Sequence, residues 1–350
     1  MQSITINTAE GKSHIIMGGS MDDIEDLLPG SGLFIITDTN VRRLYGDLFP
    51  AGVVLEIAPG EKSKTLGVAG DLCRQLLDAG ADRSSFILGF GGGVVCDVTG
   101  LVASLYMRGV RHAFVSTTLL SQVDASIGGK TGVNLGTYKN IIGTFRQPEF
   151  VLCDHKMLST LPQEELQSGT GELLKHGIIR DRNLFFDITA SMEAVLKSDP
   201  VILGDLIARA VKIKAAVVRH DLLEKGPRRI LNFGHTFGHV IETHYGIPHG
   251  VAVAQGMLIA AELSVWKGEM PQAELSMLKV ALAESGMKIN YEFPADVVSL
   301  ISRDKKSNTG KINFVLLQSV GKTVIRRLSL TEIDAFVNYY NQSRIQGQSV

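Results

Sequence analysis

Cysteine is scarce in this chain of 350 residues: Cys73, Cys96 and Cys153 are all it has. They lie far apart, without metal-ligand spacing, which argues against a disulfide framework and fits a reducing cytoplasm. An excess of one charge is also lacking, since 35 Lys+Arg against 36 Asp+Glu leave a formal net charge of -1. Bulk charge therefore offers no case for nucleic acid or an anionic membrane as partner, and any basic site must be local. No apolar run approaches the roughly 18–20 residues that a bilayer span requires. The opening MQSITINTAEGKSH lacks the basic and apolar regions of a secretion signal. Repeats, low-complexity tracts and charge blocks are missing too. What is present is a globular composition, 45% hydrophobic and 20% charged, in a chain long enough for two domains rather than one core.

The division shows as a change of period. Residues 33–38, 52–57, 85–93, 112–118 and 150–154 are short apolar runs that read as strands, and 64–80 carries helical periodicity closed by Gly80. Strands that are apolar throughout, separated by helices, imply a parallel sheet covered on both faces. Beyond about residue 160 the pattern is almost wholly helical, with helices expected at 163–176, 200–220, 235–244, 250–268, 272–286 and 330–342. One hairpin, 312–317 with 322–328, turns near Gly321. The expected architecture is α/β: a Rossmann-like parallel-sheet domain of nucleotide-binding type over 1–155, then an α-rich domain over 156–350.

Three groups of residues carry chemistry. Gly89-Phe90-Gly91-Gly92-Gly93 leaves a strand and enters a helix expected at 94–103. Residues without side chains let backbone N–H groups approach a pyrophosphate at a helix N-terminus, although this is not the GxGxxG fingerprint and a plain tight turn would read the same. Asp97 follows in the same helix. Asp38 ends the first strong strand, where an acidic residue either holds a ribose or merely caps the next helix.

In the helical half, Glu172 and Lys175 stand at i,i+3 in GELLKH, His235 and His239 at i,i+4 in NFGHTFGH, and His249 opens the next helix in PHG. One carboxylate and two imidazoles from three elements would suit a catalytic Zn²⁺ with an open position. Spacing alone favours His235 with His239, and Glu172 as the third ligand; core or capping histidines are the alternative. The third group is cationic. Asp124-Ala-Ser-Ile-Gly-Gly-Lys130-Thr surrounds a possible anion with backbone and lysine but lacks Walker A spacing, and Tyr138-Lys-Asn, Lys214, Arg228 and Asp304-Lys-Lys add further cations. Converging, they imply an anionic substrate; singly, they are solvated side chains.

Four stretches, GGGVVCDVTGLVASLYMRGV (91–110), TTLLSQVDASIGGKTGVN (117–134), LNFGHTFGHVIE (231–242) and HGVAVAQGM (249–257), resemble the 3-dehydroquinate synthase family of sugar phosphate cyclases. That family is related in fold to glycerol dehydrogenase and the iron-dependent alcohol dehydrogenases, and the similarity runs from about Asp38 to Gly321. The resemblance implies metal ligands at Glu172, His235 and His249, with His239 turned to substrate phosphate instead. It implies NAD contacts at Asp38, Glu61, Lys64, Gly91, Gly92, Gly93, Asp97, Thr117, Thr118, Lys139, Thr160 and Glu165. Asp124, Lys130, Asn140, Lys175, Lys214, Arg228 and Asn232 match substrate-pocket positions, and Lys305 or Lys306 a phosphate contact. Arg108 matches an arginine that reaches a neighbouring subunit's phosphate site, which implies a homodimer.

The reaction implied is conversion of 3-deoxy-D-arabino-heptulosonate 7-phosphate to 3-dehydroquinate and phosphate, in the shikimate route to aromatic amino acids. It proceeds by transient oxidation with NAD, phosphate elimination, reduction, ring opening and intramolecular aldol closure, with Zn or Co as the metal. The alternatives are a cyclase forming 2-epi-5-epi-valiolone or 2-deoxy-scyllo-inosose, a metal-dependent alcohol dehydrogenase, or a silent nucleotide-binding module. The family's GMAEVIK is here GTGELLK, with Gly171 for alanine; PLGKN is GTYKN; and Ser116, Leu222 and Val251 also depart. None removes a ligand or a pocket cation.

Overall fold

The computed structural model describes residues 1–8, 11–136, 138–304 and 310–345. Two compact units divide the chain, Met1–Pro162 with Lys197–Leu223, and Gln163–Leu196 with Glu224–Val350.

The first unit is built on strands β1 (Gln2–Thr8), β2 (Gly11–Met17), β3 (Leu33–Asp38), β4 (Val53–Ile57), β5 (Phe86–Gly91), β6 (Arg111–Ser116), β7 (Lys130–Leu135), β8 (Tyr138–Phe145) and β9 (Phe150–Cys153), with helices α1 (Thr39–Tyr45), α2 (Leu66–Asp78) and α3 (Gly93–Leu105). Seven strands form one sheet in the order β1-β2-β9-β6-β5-β3-β4. All its pairings are parallel except β1 with β2. β5 is buried at every residue, because successive side chains feed opposite cores. Ile36 and Ile87 join Leu72 and Val98 in one cluster, while Ile35 and Leu88 join Phe90 and Val115 in another. This is the two-sided burial that uninterrupted apolar runs require.

Into the second unit the chain carries α4 (Gln163–Arg180), α5 (Arg182–Ala190) and α6 (Met192–Leu196), and it then returns to the first through α7 (Pro200–His220). α7 packs on β1 and on the π-helical turn Ser121–Ala125. Arg219 donates to the Thr5 carbonyl, and Asp199 caps the helix start through the N–H groups of Val201 and Ile202. The boundary expected at 155/156 is therefore displaced to Pro162, and α7 belongs with the sheet rather than with the helices that surround it in sequence. Its apolar face is covered by an N-terminal strand some 200 residues away, which periodicity along the chain does not encode.

The rest of the second unit is α8 (His235–Tyr245), α9 (His249–Trp266), α10 (Gln272–Glu284), α11 (Val297–Asp304), the antiparallel pair β10 (Lys311–Ser319) and β11 (Lys322–Ser329), and α12 (Leu330–Ile345). Phe237, Ile259, Leu263, Phe314 and Phe336 belong to one core. The parallel-sheet and helical architecture expected from the sequence is present. The hairpins β1/β2 and β7/β8 and helices α5, α6 and α11 are additional. Among the described residues, no helix is long and apolar enough to cross a membrane.

His112 on β6 is 1% exposed and edge-on to Phe114. Burial, and secondarily the nearby Arg146, push it down to about 3. An unfolded chain takes up this proton near pH 6.5 and the folded one does not, so stability is complete above that value and falls as the pH drops below it. The expected slope from this group is about 1.4 kcal/mol per pH unit between roughly pH 6 and 4. Melting curves across that range should lose about one proton's worth of acid sensitivity in His112→Asn; an unchanged slope would contradict the assignment.

Candidate active site

Backbone contacts between helices set the site in the second unit. A Cβ on Gly250 would lie 1.8 Å from the Ser168 carbonyl oxygen, and one on Gly171 would lie 2.5 Å from that of Gly250. The Gly250 N–H also donates to the Ser168 hydroxyl at 2.9 Å. α4 and α9 meet this closely only because both positions lack side chains. The departure from alanine at Gly171 thus has a steric reason in this chain. α8 meets α9 in the same manner, since a Cβ on Gly256 would lie 2.0 Å from the Gly234 carbonyl oxygen.

Glu172 therefore lies beside the first residues of α8 and α9. Ligand atoms of Glu172, His235 and His249 all fall within 4.8 Å of one another. The Nε2 atoms of His235 and His249 are 3.6 and 3.5 Å from Glu172 Oε1, while Lys175 pairs with Oε2. The Glu172 side chain is 0% exposed. His235 Nδ1 lies 3.2 Å from the Phe233 carbonyl oxygen, and His249 Nδ1 lies 3.1 Å from Glu242 Oε2. Both contacts call for Nδ1–H donors, so Nε2 is the nitrogen that each ring turns toward one carboxylate oxygen.

These residues fit a divalent ion. Bonds of about 2.0–2.1 Å in tetrahedral geometry place donors roughly 3.3–3.4 Å apart, close to the separations found, and Glu/His/His leaves a position open. Charge agrees. Burial would lower His249, but hydrogen bonds to Glu172 and Glu242 carry it up to about 10. Carboxylates that hold a proton this firmly suit a cation in its place. Burial, then Lys175, keeps His235 well below its ordinary value and neutral.

The i,i+4 pair favoured by spacing is not the set that closes on Glu172. His239 has its ring centroid 5.3 Å from that of His235, but His249 takes the third place because α9 begins at the Gly171–Gly250 contact. Lys175 is 1% exposed, as is Arg228 on the turn Pro227–Asn232, and Asn232 donates to Glu224. Glu165 is exposed in the first turn of α4. Lys305 and Lys306 lie outside the described residues.

In the first unit, α3 starts at the glycine run. A Cβ on Gly91 would lie 2.6 Å from Val95 Cγ2, and one on Gly92 would lie 2.8 Å from Thr118 Cγ2, while Gly93 abuts Ala125. Lys64 Nζ donates to Asp97 Oδ2 at 2.7 Å and to Asn140 Oδ1 at 2.6 Å. Burial raises Asp97, and Lys64 opposes that. Asn140, at φ 52, donates its N–H to Asn134 Oδ1 at 2.9 Å, and Asn134 donates to Glu61 Oε1 at 2.9 Å. Glu61, Lys64, Asp97 and Asn140 thus form one network.

Asp38 Oδ1 caps α1, accepting from the N–H groups of Asn40 and Val41, so the capping alternative holds for that oxygen. Lys214 Nζ donates to Asp124 Oδ1 at 2.6 Å. The Thr117 N–H donates to the Gly91 carbonyl at 3.0 Å, Thr118 bonds Ser121, and Thr160 bonds the Tyr45 hydroxyl. Lys130 opens β7 and is exposed; Lys139 is half-buried on β8. Arg108 is exposed on a turn where Met107, Arg108 and Gly109 all have positive φ. Asn134 and Glu242 have no role in the sequence reading. Glu242 stands three residues after His239 inside a quoted motif, which is the signal that could have found it.

Residues 54–168 match the model of the 3-dehydroquinate synthase N-terminal domain and residues 169–307 that of the 3-dehydroquinate synthase C-terminal domain. A 3-dehydroquinate synthase of Alkaliphilus metalliredigens is 38% identical over 97% of this chain and 99% of its own. One from Dictyoglomus thermophilum is 42% identical over 83% of this chain and 84% of its own. Among solved structures, a 2-deoxy-scyllo-inosose synthase complexed with carbaglucose-6-phosphate, NAD⁺ and Co²⁺ superposes with TM-score 0.85 at 26% identity, covering 96% of this chain and 99% of that one. The 2-epi-5-epi-valiolone synthase of Streptomyces hygroscopicus subsp. jinggangensis shares the fold, with TM-score 0.87 at 24% identity over 98% of this chain and 99% of that one. With both domain models matched in order and relatives aligned almost end to end, the chain belongs to the 3-dehydroquinate synthase family.

Proposed function

We propose that this chain converts 3-deoxy-D-arabino-heptulosonate 7-phosphate to 3-dehydroquinate and phosphate, as a homodimeric enzyme of the cytoplasm. Its family is one of NAD- and metal-dependent lyases acting on sugar phosphates. The observation that carries the reading is the closure of Glu172, His235 and His249 to within 4.8 Å, in a chain that otherwise keeps the family's motifs.

Glu172, His235 and His249 would hold the divalent ion, and the glycine run with Lys64, Asp97 and Asp38 the NAD; when bound, these groups supply Lewis acidity and a transient hydride acceptor. The remaining work falls to the chain's own side chains. Lys175, paired with Glu172, sets a fixed positive charge beside the substrate hydroxyls. Arg228 supplies a guanidinium whose fork matches the substrate carboxylate. That preference separates this reading from the valiolone and inosose cyclases, whose substrates lack the carboxylate. Asn232, His239, Lys305 or Lys306, and Arg108 of the partner subunit would hold phosphate. Lys130 would join Arg228 on the carboxylate and Asn140 would line the substrate pocket, while Asp124, held by Lys214, or His239 would pass a proton. Thr117, Thr118, Lys139, Thr160 and Glu165 complete the dinucleotide contacts.

The test is phosphate release from the heptulosonate phosphate. Release with no net growth of NADH absorbance, abolished by chelator and restored by Zn²⁺ or Co²⁺, is the expected result. Release from sedoheptulose 7-phosphate or glucose 6-phosphate alone would overturn the substrate assignment, and steady NADH growth would mark a simple dehydrogenase.

A further inference from the structure

The two histidines of the metal set are held in unlike ways. His235 Nδ1 is anchored on a main-chain carbonyl, that of Phe233, which no substitution can remove. His249 Nδ1 is anchored on a side chain, Glu242 Oε2, at 3.1 Å. The His249 side chain is 33% exposed and Glu242 only 6%, so the less buried imidazole leans on the more buried carboxylate. Glu242 sits in the last turns of α8 and His249 on the first residue of α9. Their contact therefore fixes a ring at a helix start, where no preceding turn packs on it.

We propose that Glu242 is the positioning residue for His249. By accepting its Nδ1–H, Glu242 holds the ring in the orientation and tautomer that turn Nε2 toward Glu172, and so sets the affinity of the metal site. The inference rests on Glu172, His235 and His249 being the metal set. Glu242 is no ligand in this arrangement, because its oxygen meets the imidazole on the nitrogen opposite the one that faces Glu172 Oε1. Its negative charge also raises the basicity of Nε2, and removing such a partner typically weakens a metal site about 10–100-fold. A flipped or tautomerised His249 would instead present an N–H to the position the ion needs.

The test is the dissociation constant for Zn²⁺, measured by competition with a chromophoric chelator, together with the visible spectrum of the Co²⁺ form. Both are read on the full chain and on Glu242→Ala and Glu242→Gln, with NAD affinity and the metal-free melting temperature measured in parallel. Glu242→Ala is expected to bind Zn²⁺ about 10–100-fold more weakly, with NAD affinity and metal-free melting unchanged. Glu242→Gln, whose amide oxygen still accepts from Nδ1–H, is expected to lose less and to keep the Co²⁺ band shape. Zn²⁺ affinity within threefold of the unaltered chain in a folded Glu242→Ala overturns the inference, as does a loss matched by equal falls in NAD affinity and melting temperature. If Glu242→Ala does not fold, Glu242→Gln decides: weakening beyond threefold with NAD affinity kept supports the inference, and unchanged affinity ends it. Failure of the unaltered chain to bind Zn²⁺ or Co²⁺ would instead reject the metal set itself, and the inference with it.

Discussion

His235→Ala is expected to empty the metal site and abolish turnover while leaving the fold intact. His235 supplies one of two imidazole donors around Glu172 Oε1, and the remaining carboxylate and single histidine make a poor site. Lewis-acid assistance is worth several kcal/mol, so at about 1.4 kcal/mol per decade kcat should fall on the order of 10³-fold or more. The fold should survive, because position 235 is the first residue of α8 after Gly234 and alanine is a good helix former there. Metal analysis, kcat and circular dichroism together check the result. Turnover that persists in metal-free His235→Ala protein would refute the role given to the ion.

The second large effect is structural. Gly250→Ala places a methyl group where the Ser168 carbonyl oxygen lies only 1.8 Å away. The obstacle is backbone, so no side-chain rotation relieves it; α4 and α9 must part. Overpacking typically costs 1–3 kcal/mol, and a backbone-to-backbone clash belongs at or above the upper end, about 3 kcal/mol. The melting temperature should drop on the order of 10 °C. Metal affinity should fall with it, because the same contact brings His249 to Glu172. Calorimetry with metal titration reads both, and wild-type melting with tight metal binding would show that the helices are not held at this distance in solution.

The sequence discloses the sheet where physics leaves one choice. β3 and β5 are apolar on both faces, and only burial from two sides accounts for that. It conceals β1, whose mixed exposure carries no strong period, β2, whose alternate buried residues begin with the polar Ser13, and β7 and β8, whose Gly132 and Gly143 read as loop. The metal residues are visible as chemistry, but their grouping is not. The i,i+4 rule joins His235 to His239 because it sees one helix, whereas the partner that closes on Glu172 is set by glycine contacts between helices. Only the long family motifs carry that information. The same holds for Asp38, whose cap and whose ribose contact would look alike in sequence.

The chain passes between its two units at 162/163, 196/197 and 223/224, and this orders its birth on the ribosome. The sheet can emerge early, yet it waits for the segment around Pro200–His220 to cover β1. Residues 163–196 meanwhile leave the exit tunnel before most of the polypeptide they pack with has been translated. At about 5–20 residues per second the gap lasts many seconds. Cutting the gene near residue 155 would strand both halves with uncovered apolar surface, so split versions of this enzyme need their breakpoints chosen by contact, not by length.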